Sequence, residues 1–217
     1  MPQPDGGELR FNDEYVRETV SAVLDAGTLP VIVQAGHPVL RAQALPYTGQ
    51  LPAGQLDQLI ALMRDTMHAA PGVGLAAPQI GIPLQLAVLE DLYEVPAENA
   101  LVRDRKPLEF FAILNPRYTP VDPRTVAHYE GCLSLSGWQA VVDRAATVEL
   151  AYDDEHGTPH ARSFTGWQAR IVQHETDHLA GTIYLDKAYT RSLTSDAEYA
   201  TNWARPDVAE ARAALRF

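Results

Sequence analysis

Residues 174–178 read His-Glu-Thr-Asp-His. On a helix, positions i and i+4 share a face one turn apart, so His174 and His178 can direct two imidazoles at one ion. Glu175 is rotated away by about a third of a turn. It is better placed to reach a water held by the ion than to bind the ion itself. That is the logic of His-Glu-x-x-His, two ligands and a general base. The plain alternative is two partly buried or surface histidines near a helix C-terminus, where histidine is favoured electrostatically. Ile171 and Val172 precede the pair, so one side of this helix is buried, and buried imidazoles need partners.

Two protein ligands are too few for a catalytic site, which uses three and leaves one position for water. No histidine follows His178. The carboxylates of Asp186, Asp196 and Glu198 lie downstream, and the only cysteine, Cys132, lies upstream in Glu-Gly-Cys-Leu-Ser-Leu-Ser-Gly, residues 130–137. A thiolate binds zinc or ferrous iron strongly; a lone cysteine is also a common inert core residue. A third segment, Pro-Gly-Val-Gly-Leu-Ala-Ala-Pro-Gln-Ile-Gly over 71–81, lacks the Lys-Ser/Thr of a phosphate loop. Its glycines permit close backbone approach. Its one polar side chain, Gln79, can donate to an oxyanion or serve as a satisfied core amide.

The elements that carry these groups follow from periodicity. Val16, Val20, Val23 and Leu24 predict a helix over 12–26 capped by Asn12; Leu56, Leu59, Ile60, Met63 and Met67 predict another over 55–69 that stops near Pro71-Gly72. Residues 84–90, 111–118, 140–144, 146–152 and 160–165 read as short strands, with a hairpin turn at 153–157. The metal-type helix spans about 165–178, breaks at Gly181 and continues as a short strand Thr-Ile-Tyr-Leu-Asp. Residues 91–109 read as a long surface loop. Residues 1–11 read as a flexible lead-in. The tail, 190–217, is weakly patterned, with a helix after Pro206. One α+β domain over 1–217 is the simplest organisation.

Composition narrows the class. The chain has 217 residues, 46% hydrophobic and 21% charged, with a net charge of -11. The acidic balance argues against direct nucleic-acid binding. One cysteine excludes an internal disulfide, and there is no second thiol for a redox switch. No run of about eighteen apolar residues suggests a membrane span. The N-terminus lacks the basic-then-apolar pattern of a secretory leader. A cytoplasmic protein is the expectation.

Three segments together carry a resemblance. Gly-Val-Gly-Leu-Ala-Ala-Pro-Gln (72–79), Glu-Gly-Cys-Leu-Ser (130–134) and Gln-His-Glu-Thr-Asp-His (173–178) resemble the three signature motifs of the peptide deformylases, complete and in the family's order. The likeness extends from about Gly36 to Lys187 and looks most like the mitochondrial-type branch, in a chain read as bacterial.

That resemblance implies an α+β fold in which antiparallel β-sheets surround a central helix bearing the histidine pair. It implies removal of the formyl group from the N-terminal formylmethionine of nascent polypeptides near the ribosome, releasing formate. Cys132, His174 and His178 become the metal ligands, with Fe²⁺ as the physiological ion and Zn²⁺, Ni²⁺ or Co²⁺ able to replace it. An ion-activated water attacks the formyl carbon, with Glu175 as general base and then acid. The Gln79 side chain and the Leu133 backbone N–H stabilise the oxyanion. Trp167 and Ile171, on the face of His174, and Val73 would wall a methionine pocket, unless they are plain core. The peptide backbone would pair as an added strand along Gly72–Gly74. Less direct roles fall to Gln173, holding the metal loop; to Glu130, orienting the Cys132 turn; and to Arg144, paired with Asp177. The sequence departs from the compact bacterial members at Gln139, where they often have arginine, and in its tail. Competing readings are an internal-bond metallopeptidase with a downstream third ligand and a metal-holding relative without turnover.

Overall fold

The computed structural model describes residues 11–217; of the expected lead-in only Phe11 lies among the described residues. Helix α1 spans Asp13–Asp25 and begins as expected, the Asn12 side chain accepting the Tyr15 N–H at 2.9 Å. Helix α2 spans Gln55–Ala69. Its Leu59, Met63 and Met67 pack with Val16 and Val20 of α1 and with the apolar side chains Leu75, Leu86, Val88 and Leu114.

A five-stranded antiparallel sheet has the order β1-β2-β3-β6-β7, with β1 Gly74–Ala76, β2 Leu86–Asp91, β3 Leu108–Pro120, β6 Thr147–Asp153 and β7 Pro159–Thr165. A second sheet has the order β4-β5-β8, with β4 Thr125–Gly131, β5 Trp138–Ala145 and β8 Thr194–Ser195. Register places Leu89 beside Phe111 in the larger sheet and Gly131 beside Gln139 in the smaller. The hairpin turn expected at 153–157 joins β6 to β7, the Asp154 carboxylate accepting the N–H groups of His156 and Thr158.

Helix α4, Gly166–Leu179, lies between the sheets. Ala169, Ile171, Val172 and Leu179 pack with Leu89, Ile113, Val148, Leu150 and Phe164 of the larger sheet. Its other side meets the smaller sheet through polar groups: Arg170 to Glu130, and Gln173 to the Ala145 carbonyl. This is the expected α+β arrangement around a central helix. Gly181 ends the helix with φ +72; an added Cβ would stand 2.7 Å from the Arg41 carbonyl oxygen.

Several local expectations are corrected. Thr-Ile-Tyr-Leu-Asp is no strand: Tyr184–Lys187 forms a 3₁₀ turn, because the Asp186 carboxylate takes the Ile183 N–H and closes the chain locally. Residues 91–109 are not all loop; α3 spans Ala97–Val102, and Asp91 binds Arg105 through both oxygens. Strands β1, β4 and β8 had no strong sequence signal. In the tail, α5 is a short turn, Asp196–Glu198, and α6 spans Ala209–Leu215. Among the described residues no helix is long and apolar enough to cross a membrane.

Candidate active site

Strand β4 delivers its last residue, Gly131, to a turn that presents Cys132 toward α4. There Cys132, His174 and His178 bring one donor atom each to within 4.8 Å of one another. Cys132 Sγ stands 3.3 Å from His178 Nε2. Metal–sulfur bonds of about 2.3 Å and metal–nitrogen bonds of about 2.1 Å fit such spacing, with a fourth position left for water or substrate. One thiolate and two imidazoles suit iron, zinc and their neighbours and disfavour magnesium or calcium. The downstream carboxylates are engaged elsewhere: Asp186 by Arg41, Asp196 by Gln139, and Glu198 by Asn202.

Around the donors lies a buried charged network. Glu130 Oε2 accepts from His174 Nδ1 at 2.9 Å, which leaves Nε2 of that ring for an ion. The same carboxylate is held by Arg144 through two bonds and by Arg170 at 2.6 Å. Burial alone would raise the Glu130 pKa, but Arg144 and His174 outweigh it and hold it well below the usual carboxylate range. Burial pushes His178 well below its usual value, so its ring is neutral. Burial also works against charge on His174, yet Cys132 and Glu130 hold its pKa well above the ordinary value; binding of an ion displaces that proton. Arg144 also pairs with Asp177, as the sequence suggested, and Asp177 is further bound by Tyr118 and Lys187. Two expectations are corrected here. Glu130 orients His174 rather than the Cys132 turn. Gln173 clamps the end of β5, through the Ala145 N–H and carbonyl, rather than the metal loop.

Glu175 is 4% exposed, and its Oε2 has no partner among the described residues. Burial raises its pKa to about 7. Its side chain runs along Gly74: a Cβ there would stand 2.3 Å from Glu175 Oε1. Gly74 is therefore glycine because the carboxylate occupies the space of a side chain. Gln79 is 1% exposed. Its Oε1 accepts the Ala76 N–H at 2.8 Å, which turns its amide nitrogen toward Cys132 Sγ at 3.6 Å and Ser134 Oγ at 3.4 Å. Among the described residues no acceptor takes the Leu133 N–H.

A cleft of about 550 Å³ opens over this centre. Gly72, Val73, Gly74, Gln79, Leu133, Trp167, Ile171 and Glu175 all line it with Cys132 and His174, so the sequence-selected residues converge on one cavity, except His178, which is fully buried behind it. Sequence reasoning missed Tyr129, Arg170, Trp138 and Tyr199 on its walls. Arg170 carried a signal, standing one helical turn before His174; Tyr129 and Trp138 reach the cleft on paired strands and Tyr199 on a helical turn of the tail, none of which periodicity reveals. Three donors that could hold an ion, beside a buried carboxylate and an amide donor, are the arrangement of a metal-dependent hydrolase.

Comparison with known proteins supplies the amide. A family model described as Polypeptide deformylase matches residues 30–193. Peptide deformylase 3 of Streptomyces avermitilis is 54% identical over 97% of this chain and 94% of that relative. The peptide deformylase of Bifidobacterium adolescentis is 48% identical over 98% of each. A Met-Ala-Ser-bound crystal structure of a class I type b peptide deformylase from Acinetobacter baumannii superposes with a TM-score of 0.66, at 28% identity, covering 74% of this chain and 98% of that one. The chain belongs to the peptide deformylase family. Its activity is the metal-dependent removal of the N-terminal formyl group from nascent peptides.

Proposed function

We propose that Cys132, His174 and His178 hold the ion, that Glu175 moves the proton, and that Gln79 and the Leu133 N–H receive the developing charge. The observation that carries this reading is the Glu175 carboxylate, buried without a partner at Oε2 among the described residues, beside a thiolate and two imidazoles. A divalent ion bound there supplies a Lewis acid that acidifies water and polarises the formyl oxygen. Glu175 accepts the proton of the attacking water and returns it to the amine nitrogen, which then leaves neutral; a carboxyl near neutrality serves both directions. The Gln79 amide, fixed from behind by the Ala76 N–H, donates to the formyl oxygen as its charge grows, together with the Leu133 N–H. Glu130 keeps the His174 ring in the tautomer that offers Nε2.

The methionine side chain enters between Val73, Trp167 and Ile171, which line the cleft beside Glu175. The peptide backbone adds along Gly72–Gly74; β1 is the edge strand of its sheet, paired only with β2. We assign Fe²⁺ as the physiological ion, with Zn²⁺, Ni²⁺ or Co²⁺ as functional substitutes; a thiolate with two imidazoles suits all four and disfavours magnesium and calcium. The substrate is the formylmethionyl end of a chain emerging from the ribosome in the cytoplasm, and residues 1–217 act as one domain.

The test is formate release from formyl-Met-Ala-Ser by anaerobically purified protein, with metal content measured on the same sample. Release should scale with bound metal. Glu175→Gln should keep the metal and lose about 10²–10⁴-fold in kcat. Full metal content with no formate would overturn the reading, and cleavage of an internal bond would replace it with a peptidase.

A further inference from the structure

The family model ends at residue 193, yet Asp196 and Tyr199 line the same cavity as Cys132 and Glu175. Their position is built in. Strand β8 pairs with β5, placing Thr194 beside Gln139 and Ser195 beside Trp138. The Asp196 N–H donates to the Gly137 carbonyl at 3.0 Å, and Gln139 Nε2 donates to Asp196 Oδ1 at 3.0 Å. The Tyr199 ring meets the Tyr129 ring edge-on, with centroids 5.1 Å apart. Behind it Trp203, Leu215 and Phe217 pack with Tyr129 and Val141 and anchor the segment to the smaller sheet.

Gln139 stands across the ladder from Gly131, the residue before Cys132. The lip formed by Gln139, Asp196 and Tyr199 therefore borders the metal turn. With the formyl group at Glu175 and Gln79 and the methionine side chain at Trp167 and Ile171, this lip and the Leu135–Gly137 turn are walls left for the rest of the peptide. Trp138, 46% exposed, adds a second aromatic face there.

We infer that Tyr199 and Asp196, supplied by a segment outside the family-matched residues, are specificity-determining residues that grip the peptide beyond its second residue. Tyr199 offers a flat apolar face to the third and fourth residues, and Asp196, oriented by Gln139, accepts from their backbone N–H groups. The substrate class is an extended oligopeptide end rather than a formylated dipeptide. This inference rests on the site reading above.

Steady-state kinetics on formyl-Met-Ala and formyl-Met-Ala-Ser-Tyr test it. Wild-type protein should favour the tetrapeptide. Tyr199→Ala should lower the tetrapeptide-to-dipeptide ratio of kcat/KM by about five- to tenfold, through KM, while Tyr199→Phe restores it. Equal losses on both substrates, or no loss on the tetrapeptide, would overturn the inference. Asp196→Ala, at the exposed lip, removes the acceptor and gives the same comparison should Tyr199→Ala fail to fold; an unchanged ratio would overturn the inference. A wild-type protein inactive on both peptides would instead sink the site reading itself.

Discussion

Glu175 sits where a single methyl group decides its position. The Gly74 Cα leaves a gap that the carboxylate fills, and an alanine there would meet Oε1 at 2.3 Å. Gly74→Ala should displace the carboxylate by about an ångström and lower kcat about 10²-fold. Metal content should be unchanged, which separates this loss from damage to the ligands. Gln79 has two jobs, because its carbonyl oxygen holds the Ala76 N–H while its amide nitrogen faces the site. Gln79→Leu should cost about 10²–10³ in kcat through the lost oxyanion donor. It should also cost about 1–3 kcal/mol in stability by leaving a buried N–H unpaired. Paired kinetic and thermal-melt measurements read both effects on one variant.

At the scale of elements, α4 is joined to the larger sheet by apolar packing and to the smaller sheet by charge. Glu130 on β4, Arg144 on β5, and Arg170 and Asp177 on α4 form one buried array. Arg144→Met would leave two buried carboxylates short of a partner and should destabilise the protein by about 3–5 kcal/mol, read as a lower denaturation midpoint. Adding Asp177→Leu should recover part of that loss. Much of this element was legible beforehand. The i, i+4 histidines follow from helical geometry, the Arg144–Asp177 pairing came with the family resemblance, and α1, α2 and α4 announced themselves by periodicity. The Glu130–His174 bond did not, since it joins residues 44 apart through a sheet register no local pattern encodes. Strand β4, Thr-Val-Ala-His-Tyr-Glu-Gly, was obscured for a related reason. Its buried residues include the polar His128 and the charged Glu130, so polarity masks the alternation that marks a strand. Tyr184–Lys187 misled in the opposite sense: β-favouring side chains close a turn because Asp186 outcompetes a sheet edge for the Ile183 N–H.

For the whole molecule, acid sensitivity has an identifiable source away from the ion. His128 is 4% exposed, and its Nδ1 has no partner among the described residues. Burial, reinforced by Arg170 and Arg103 and opposed by Asp207 and Glu130, lowers its pKa from 6.5 to about 4. The unfolded chain therefore takes up this proton first as pH falls. The neutral histidine's contribution is fully present above pH 6.5, declines between 6.5 and 4, and is flat below. The slope is at most about 1.4 kcal/mol per pH unit. His128→Gln should flatten the pH dependence of the urea midpoint across that window, and an unchanged slope would assign acid sensitivity elsewhere.

The three donor side chains come from separate parts of the architecture. Cys132 follows the strand of one sheet, and the histidines ride a helix seated on the other, with Cys132 and His178 separated by 46 positions. Between them the chain passes from β5 in the smaller sheet to β6 in the larger one and completes the β6–β7 hairpin. An ion held by the thiolate and both imidazoles would therefore act as a clasp between the two sheets. Chelation should consequently leave each sheet intact while quickening amide hydrogen exchange along the seam where β4 and β5 face α4.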